Sequence, residues 1–288
     1  MAALLVSCSG NSDETKPDVK PEKIPIRVAM GIGTRATDTA FENGDKAGVY
    51  AVNYNGATPG TLATSGNHLN NMGIALNGTA WTPDAPSYWQ DETTPVDFYC
   101  YYPYVASPSS VTAYPFSVST DQSVVSNYKA SDFLWGKTAG VTPTASTIQI
   151  TVKHVMSNVL VYLQPGSGFT TQTLAAATKS VTICNTKPAS TIDFATGAAT
   201  ATGSVAEIKT SVESGYYRAL IVPQTVAAGS DLVKITIDGK DYILKQGITF
   251  EGNKQHSCTI TVNKTGQGVN IGIGNWETDP IDHGGAAE

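Results

Sequence analysis

Arginine is scarce in this chain: Arg27, Arg35 and Arg218 are its only three in 288 residues. With a net charge of −6 at pH 7, the chain lacks the clustered cations that nucleic-acid phosphates require, and a nucleic-acid partner is excluded. Charged residues make up only 15% of it, against roughly 25% in an average soluble domain. Glu, Lys and Leu are too thinly spread for a coiled coil. No apolar run approaches the roughly 18 residues that a membrane-spanning helix needs. Cysteines number four and histidines four, with no C-x-x-C and no His at ligand spacing, so no zinc site is expected. Also lacking are G-x-S-x-G, H-E-x-x-H, a P-loop and a G-x-G-x-x-G before a helix. The expectation is a protein without catalytic residues, metal or cofactor, and not an enzyme.

What fills the gap is Thr, Ser, Ala, 27 Gly and 15 Pro, with 13 Tyr leading the aromatics and 41% hydrophobic residues overall. That is too apolar for a disordered acidic chain and suits an exported, β-rich one. Alternation with period two is the strongest local signal. Ile24, Ile26, Val28, Met30 and Ile32 fall on one face of a strand and Pro25, Arg27, Ala29 and Gly31 on the other. Similar runs recur at 48–53, 96–102, 148–152 and 158–163, and again through the second half as far as 269–273. Asn77-Gly78, Asp238-Gly239 and Glu251-Gly252-Asn253 supply turns between them, and Asp238-Gly239 predicts a type I′ hairpin. Helical periodicity is nearly absent apart from a turn or two near Leu174 to Lys179. The expected fold is all-β, with Greek-key sandwiches. Length favours two domains, and the Thr/Pro/Ser stretch 140–147 separates two strand sets. The boundary falls between 140 and 165, drawn as an N-terminal sandwich 24–152 and a C-terminal sandwich 153–288 with a short polar tail.

The chain begins with a short apolar stretch ending Leu5-Val6-Ser7-Cys8, then turns polar. This is similar to a lipoprotein signal with its front missing, residues 1–8, in which Cys8 takes the lipid. Residues 9–23 then read as an extended tether. A lipid on Cys8 would anchor a chain that has no apolar helix to do so. Cys100, Cys184 and Cys258 read as buried single thiols, and their spacing selects no disulfide pair. His154, within an apolar segment, reads as a hydrogen-bonded core histidine. The stretch from Trp81 to Tyr104, rich in aromatics and carboxylates, reads as a loop pinned to the core. It also allows a sugar-stacking platform of Trp81, Tyr88 and Trp89, or a glycosidase carboxylate pair.

A series of segments resembles one family. Thr34-Arg35-Ala36-Thr37, followed by Phe41-Glu42-Asn43-Gly44-Asp45-Lys46-Ala47-Gly48-Val49-Tyr50, is similar to the opening of the fimbrillin-like proteins, subunits of the type V pili of Gram-negative bacteria. Asp97 to Tyr104, Ser131 to Trp135, His154 to Leu163, Ala219 to Gln224, Asp238 to Thr261 and Ile273-Gly274-Asn275-Trp276 resemble later segments of that family, in order. The resemblance implies two transthyretin-like Greek-key β-sandwich domains in tandem, export as a lipoprotein to the outer membrane, and a structural role in a cell-surface pilus serving adhesion. It implies that an arginine-specific surface protease cuts between Arg35 and Ala36 and removes the first strand, with Ile24, Ile26, Val28, Met30 and Ile32. A strand from another subunit then fills the groove. Ser257 to Val262 and Val269 to Ile273 are candidates for that inserting strand, while the polar tail 279–288 leaves stalk, tip and anchor roles open. Asp38-Thr39-Ala40 resembles an O-glycosylation acceptor at Thr39. The alternative is a lipid-anchored surface protein that binds host or bacterial glycans, or a surface protein, and never polymerises.

Overall fold

The computed structural model describes residues 23–32, 41–265, 268–273 and 277–279. Cys8, Arg35, Ala36 and Thr39 lie outside the described residues. The first half of the chain forms β1 (Val28–Ile32), β2 (Lys46–Asn53), β3 (Leu69–Asn77), β4 (Ala80–Pro83) and β5 (Val96–Tyr102). It continues with β6 (Tyr114–Ser117), a short helix α1 (Val125–Ala130), β7 (Leu134–Val141) and β8 (Ile148–His154). The second half opens with β9 (Ser157–Pro165), α2 (Thr171–Ala176), β10 (Lys179–Thr186), β11 (Ala189–Asp193), β12 (Ala198–Thr202) and β13 (Ala206–Lys209). Then come β14 (Ser211–Val212), β15 (Tyr217–Ile221), β16 (Gln224–Val226), β17 (Asp231–Ile237), β18 (Lys240–Lys245) and β19 (Ile248–Phe250). β20 (Gln255–Thr265), β21 (Gly268–Ile273) and β22 (Glu277–Asp279) finish the described chain. The fold is all-β, as the alternation requires.

Seven strands of the first half form one sheet in the order β1-β8-β7-β5-β2-β3-β4. Its inner face carries Ala47, Val49, Phe98, Cys100, Leu134, Ile150 and Val152, which share a core with Val28 and Met30. On its outer face Tyr50, Tyr99 and Tyr101 belong to a second core that runs on into the other half. Alternation thus makes both faces of β2 and β5 apolar, and both are buried. The two ends of the sheet meet. The indole Nε1–H of Trp81, on β4, donates to the Met30 carbonyl on β1 at 2.9 Å, so the sheet is rolled around its inner core.

The second half pairs β13-β10-β17-β18 in one sheet and β14-β15-β9-β20-β21 in another, with β22 also on β20. Val159, Val161, Ile183, Val233, Ile235 and Ile260 fill the space between. Asp238 and Gly239 both have positive φ, 49° and 81°, and join β17 to β18 with Ile237 opposite Lys240, the geometry that an Asp-Gly type I′ turn gives. The halves interlock. β6, from the first half, pairs with β11 and so with β12 in a three-stranded sheet. Phe194, which follows β11, packs 4.5 Å from the ring of Tyr101. Gln122, fully buried, bonds both the N–H and the carbonyl of Leu220 at 2.8 Å, extending β15 as a strand would. α1 is a local turn that periodicity did not predict, and α2 begins a few residues before the predicted helical turn.

Candidate functional site

The segment 24–32 is held in two ways. Its first part runs against 87–89, with Ile26 N–H donating to the Ser87 carbonyl (2.8 Å) and Trp89 N–H to the Ile24 carbonyl (3.0 Å). Pro25, which has no N–H to offer, sits at the isolated bridge to Tyr88. The second part, β1, runs parallel to β8 at the edge of the sheet, with Val28 opposite Ile148, Met30 opposite Ile150 and Ile32 opposite Val152. The Arg27 carbonyl accepts from Ile148 N–H at 2.8 Å. In a parallel ladder alternate residues turn their main-chain groups to the same neighbour. Residues 27, 29 and 31 therefore bond β8, and the main chain of Val28 and Met30 faces the other way, toward β4.

The side chains follow the sequence pattern. Ile26, Val28 and Met30 are 3%, 6% and 5% exposed, and Ile24 and Ile32 are half-buried against the same core. Met30 lies on Cys100, with Sδ and Sγ 3.3 Å apart. Burial pushes the Cys100 thiol up to about 12 and those of Cys184 and Cys258 up to about 11. All three are buried thiols and none is in a disulfide. The strand thus supplies part of the wall of the rolled sheet's core while being anchored at one edge of it.

Of the aromatics considered for a sugar platform, Trp89 is only 4% exposed. Its ring packs edge-on to Phe98, and its Nε1–H donates to the Thr144 carbonyl at 2.9 Å. Trp81 is half-buried edge-on against Phe41. Tyr88 alone is largely open, at 44%. The three do not share an exposed face, because the two indoles are apolar enough to be drawn inward and each finds a carbonyl for its N–H. The crossing of Trp81 over the seam between β1 and β4 and the reach of Trp89 to Thr144 were not legible in the sequence, where the only signal was two tryptophans within a polar stretch. Asp97, one of the carboxylates of the same stretch, is buried between Tyr54, Gly140 N–H and Lys137 (3.0, 2.8 and 2.8 Å). Burial works to raise its pKa, and those hydrogen bonds outweigh it and hold the carboxyl below its ordinary value. His154 bonds Asp132 through Nδ1 at 2.8 Å, as a core histidine would.

The two described arginines are both occupied. Arg27 reaches the Ala145 carbonyl, and Arg218 pairs with Glu213 at 2.8 Å above the ring of Tyr128. Of the two inserting-strand candidates, Ser257 to Val262 lies in β20, an inner strand flanked by β9 and by β21 and β22. Val269 to Ile273 lies in β21, which ends that sheet. Among the described residues no group of three His, Cys, Asp or Glu could hold a metal ion, and no helix is long and apolar enough to cross a membrane.

A protein of Bacteroides uniformis with the provisional name fimbrium subunit Fim1C is 26% identical to this chain over 291 residues, covering 95% of this chain and 91% of that one. Two crystal structures share the fold. One is a provisionally assigned cell adhesion protein from Bacteroides uniformis, with a TM-score of 0.66 at 21% identity over 88% of this chain and 97% of that one. The other, similarly assigned, is from Bacteroides ovatus, with a TM-score of 0.67 at 15% identity over 89% and 97%. The sequence profile of the fimbrillin-like proteins matches residues 34–276, most of the 288-residue chain, and the chain belongs to the fimbrillin-like family.

Proposed function

We propose that this protein is a subunit of a cell-surface pilus, serving adhesion, and that it assembles by strand exchange. The observation that carries the reading is the double character of the first strand. It completes the rolled sheet's core with Ile26, Val28 and Met30, yet β1 is a parallel edge strand that, among the described strands, pairs with β8 alone, and the segment before it is held by an isolated bridge to Tyr88 and two main-chain hydrogen bonds. Burying each such side chain contributes roughly 1.5 to 3 kcal/mol at most. Three buried residues, two half-buried ones and a free edge on β8 make a groove that binds a replacement strand tightly. The two arginines whose surroundings are described are engaged, and Arg27 also has its carbonyl in the ladder. Arg35 is then the residue offered to an arginine-specific protease, with Ala36 the new N-terminus.

In this reading the chain comprises two transthyretin-like sandwiches, 24–152 and 153–288, locked by β6. It is exported as an outer-membrane lipoprotein on Cys8 and joins other pilus subunits, identical or related, with Thr39 a candidate O-glycosylation acceptor. The donated strand is the edge formed by β21 and β22, since β20 is enclosed. The test is to treat purified precursor with an arginine-specific protease. The expected result is an N-terminus at Ala36 and a ladder of SDS-resistant oligomers, both abolished by Arg35→Ala. Cutting at Arg35 that yields only monomers would overturn the reading.

A further inference from the structure

A cleft of about 670 Å³ lies along the seam where the rolled sheet closes. One wall is the first strand from Pro25 to Ala29, and the other is Thr79 to Pro83 with Pro86 to Tyr88. Its volume is within the roughly 300–1,000 Å³ of small-molecule sites. Ile26 and Val28 turn away to the core, and the apolar part of the cleft's lining is Pro25, Ala29, Ala80, Pro83 and Pro86 with the half-buried Trp81. On the rim are the exposed Thr82, Tyr88, Thr147 and Gln149, which offer an amide, hydroxyls and an open aromatic ring, while the Arg27 guanidinium is taken up by the Ala145 carbonyl and no carboxylate is among the lining residues.

We infer that this cleft binds a short neutral oligosaccharide, and that it does so only while the first strand is in place. Hydroxyl and amide groups around an apolar lining match the alternating hydroxyls and C–H faces of a sugar, and Tyr88 offers a ring with one apolar face and one polar end. A peptide strand fits less well. Inserted between β1 and β4 it would need the two strands about 9.6 Å apart, twice the strand spacing, but their Cα atoms come within 8 Å of each other. The Trp81 indole also already bridges the gap to Met30. Because Pro25 to Ala29 form one wall, departure of the strand dismantles the site. Binding and strand release therefore oppose each other by linkage. This second half of the inference rests on the strand-exchange reading, and the first half does not.

The intact chain is titrated with maltotriose, cellotriose and chitotriose, followed by calorimetry. We expect saturable binding of at least one, weakened about tenfold by Tyr88→Ala and by Gln149→Ala, each the loss of one stacking or hydrogen-bonding partner. The melting temperature should not change, and Tyr242→Ala, outside the cleft, should leave binding intact. No saturable binding of any trisaccharide, binding indifferent to both cleft substitutions, or displacement of the sugar by a synthetic 268–279 peptide with higher affinity would overturn the assignment. For the coupling, protein cut at Arg35 is held with sugar at about a hundredfold over its Kd, and the freed first-strand peptide is measured by mass spectrometry. Release should fall about a hundredfold, and unchanged release would overturn the coupling. Sugar binding with normal cutting but no oligomers would instead refute strand exchange alone.

Discussion

Met30 and Cys100 meet at 3.3 Å beneath the first strand, and that contact makes the thiol a reporter of the strand's presence. A thiol with its pKa raised to about 12 by burial has almost no thiolate and does not react. Once the strand leaves, water reaches Cys100 and its pKa relaxes toward the ordinary value of about 8.5. With maleimide present during cutting, before another strand fills the groove, mass spectrometry should find Cys100 modified, whereas it should be unmodified in the uncut precursor, and Cys184 and Cys258 should stay protected in both. Asp97 carries a different, pH-dependent contribution. Its carboxyl is held below the ordinary range, so the stability it gives is fully present above its unfolded value of about 3.9 and is lost as pH falls through the lower folded value. Melting measured from pH 6 to pH 2 should therefore drop most steeply below about pH 4. Asp97→Asn should flatten that fall and cost about 1 to 3 kcal/mol at neutral pH, by leaving Lys137, Tyr54 and Gly140 N–H with a poorer acceptor.

At the scale of the element, local chemistry made part of this molecule readable. Period-two alternation marked the buried face of the first strand through Val28 and Met30. Asp238-Gly239 specified its turn because both central residues of a type I′ turn need positive φ. Gly239 sits at φ 81° in open space, so Gly239→Ala should cost about 1 kcal/mol from backbone strain alone, measured by urea unfolding, with no change in assembly. Trp81 and Trp89 were legible as aromatics but not in their placement. Whether an indole faces a sugar or a core depends on a partner segment more than fifty residues away, such as the carbonyl of Met30 in β1 or of Thr144 between β7 and β8. The parallel pairing of β1 with β8 was equally hidden, since nothing in residues 28–32 encodes a partner at 148–152. β20 and β21 alternate alike in sequence, and only the order of the sheet distinguishes the enclosed strand from the edge.

Across the whole molecule, the two halves do not separate at the Thr/Pro/Ser stretch as cleanly as composition implied. Tyr114 and Phe116 of β6 pack on Phe133 and Phe194, and among the described strands β6 pairs with β11, from the second half. A fragment of residues 24–152 would expose Tyr50, Tyr101 and Phe133, now buried in the shared core, together with the unpaired edges of β6. It should associate or precipitate on size exclusion, whereas the full precursor should elute as a monomer. This coupling also means that changes at the rolled sheet's groove occur on a frame braced by the second half.

The central claim is that the first strand must leave for subunits to join, and a removable lock tests it most directly. Ala29 and Gln149 are register partners on neighbouring parallel strands, outside the buried face and at a spacing that a disulfide can span. In the Ala29→Cys/Gln149→Cys protein, oxidised and then treated with the arginine-specific protease, cutting at Arg35 should proceed while the product stays monomeric. Adding reductant should restore the SDS-resistant ladder. Oligomers formed by the oxidised, cut protein at the rate of the reduced one would contradict the account.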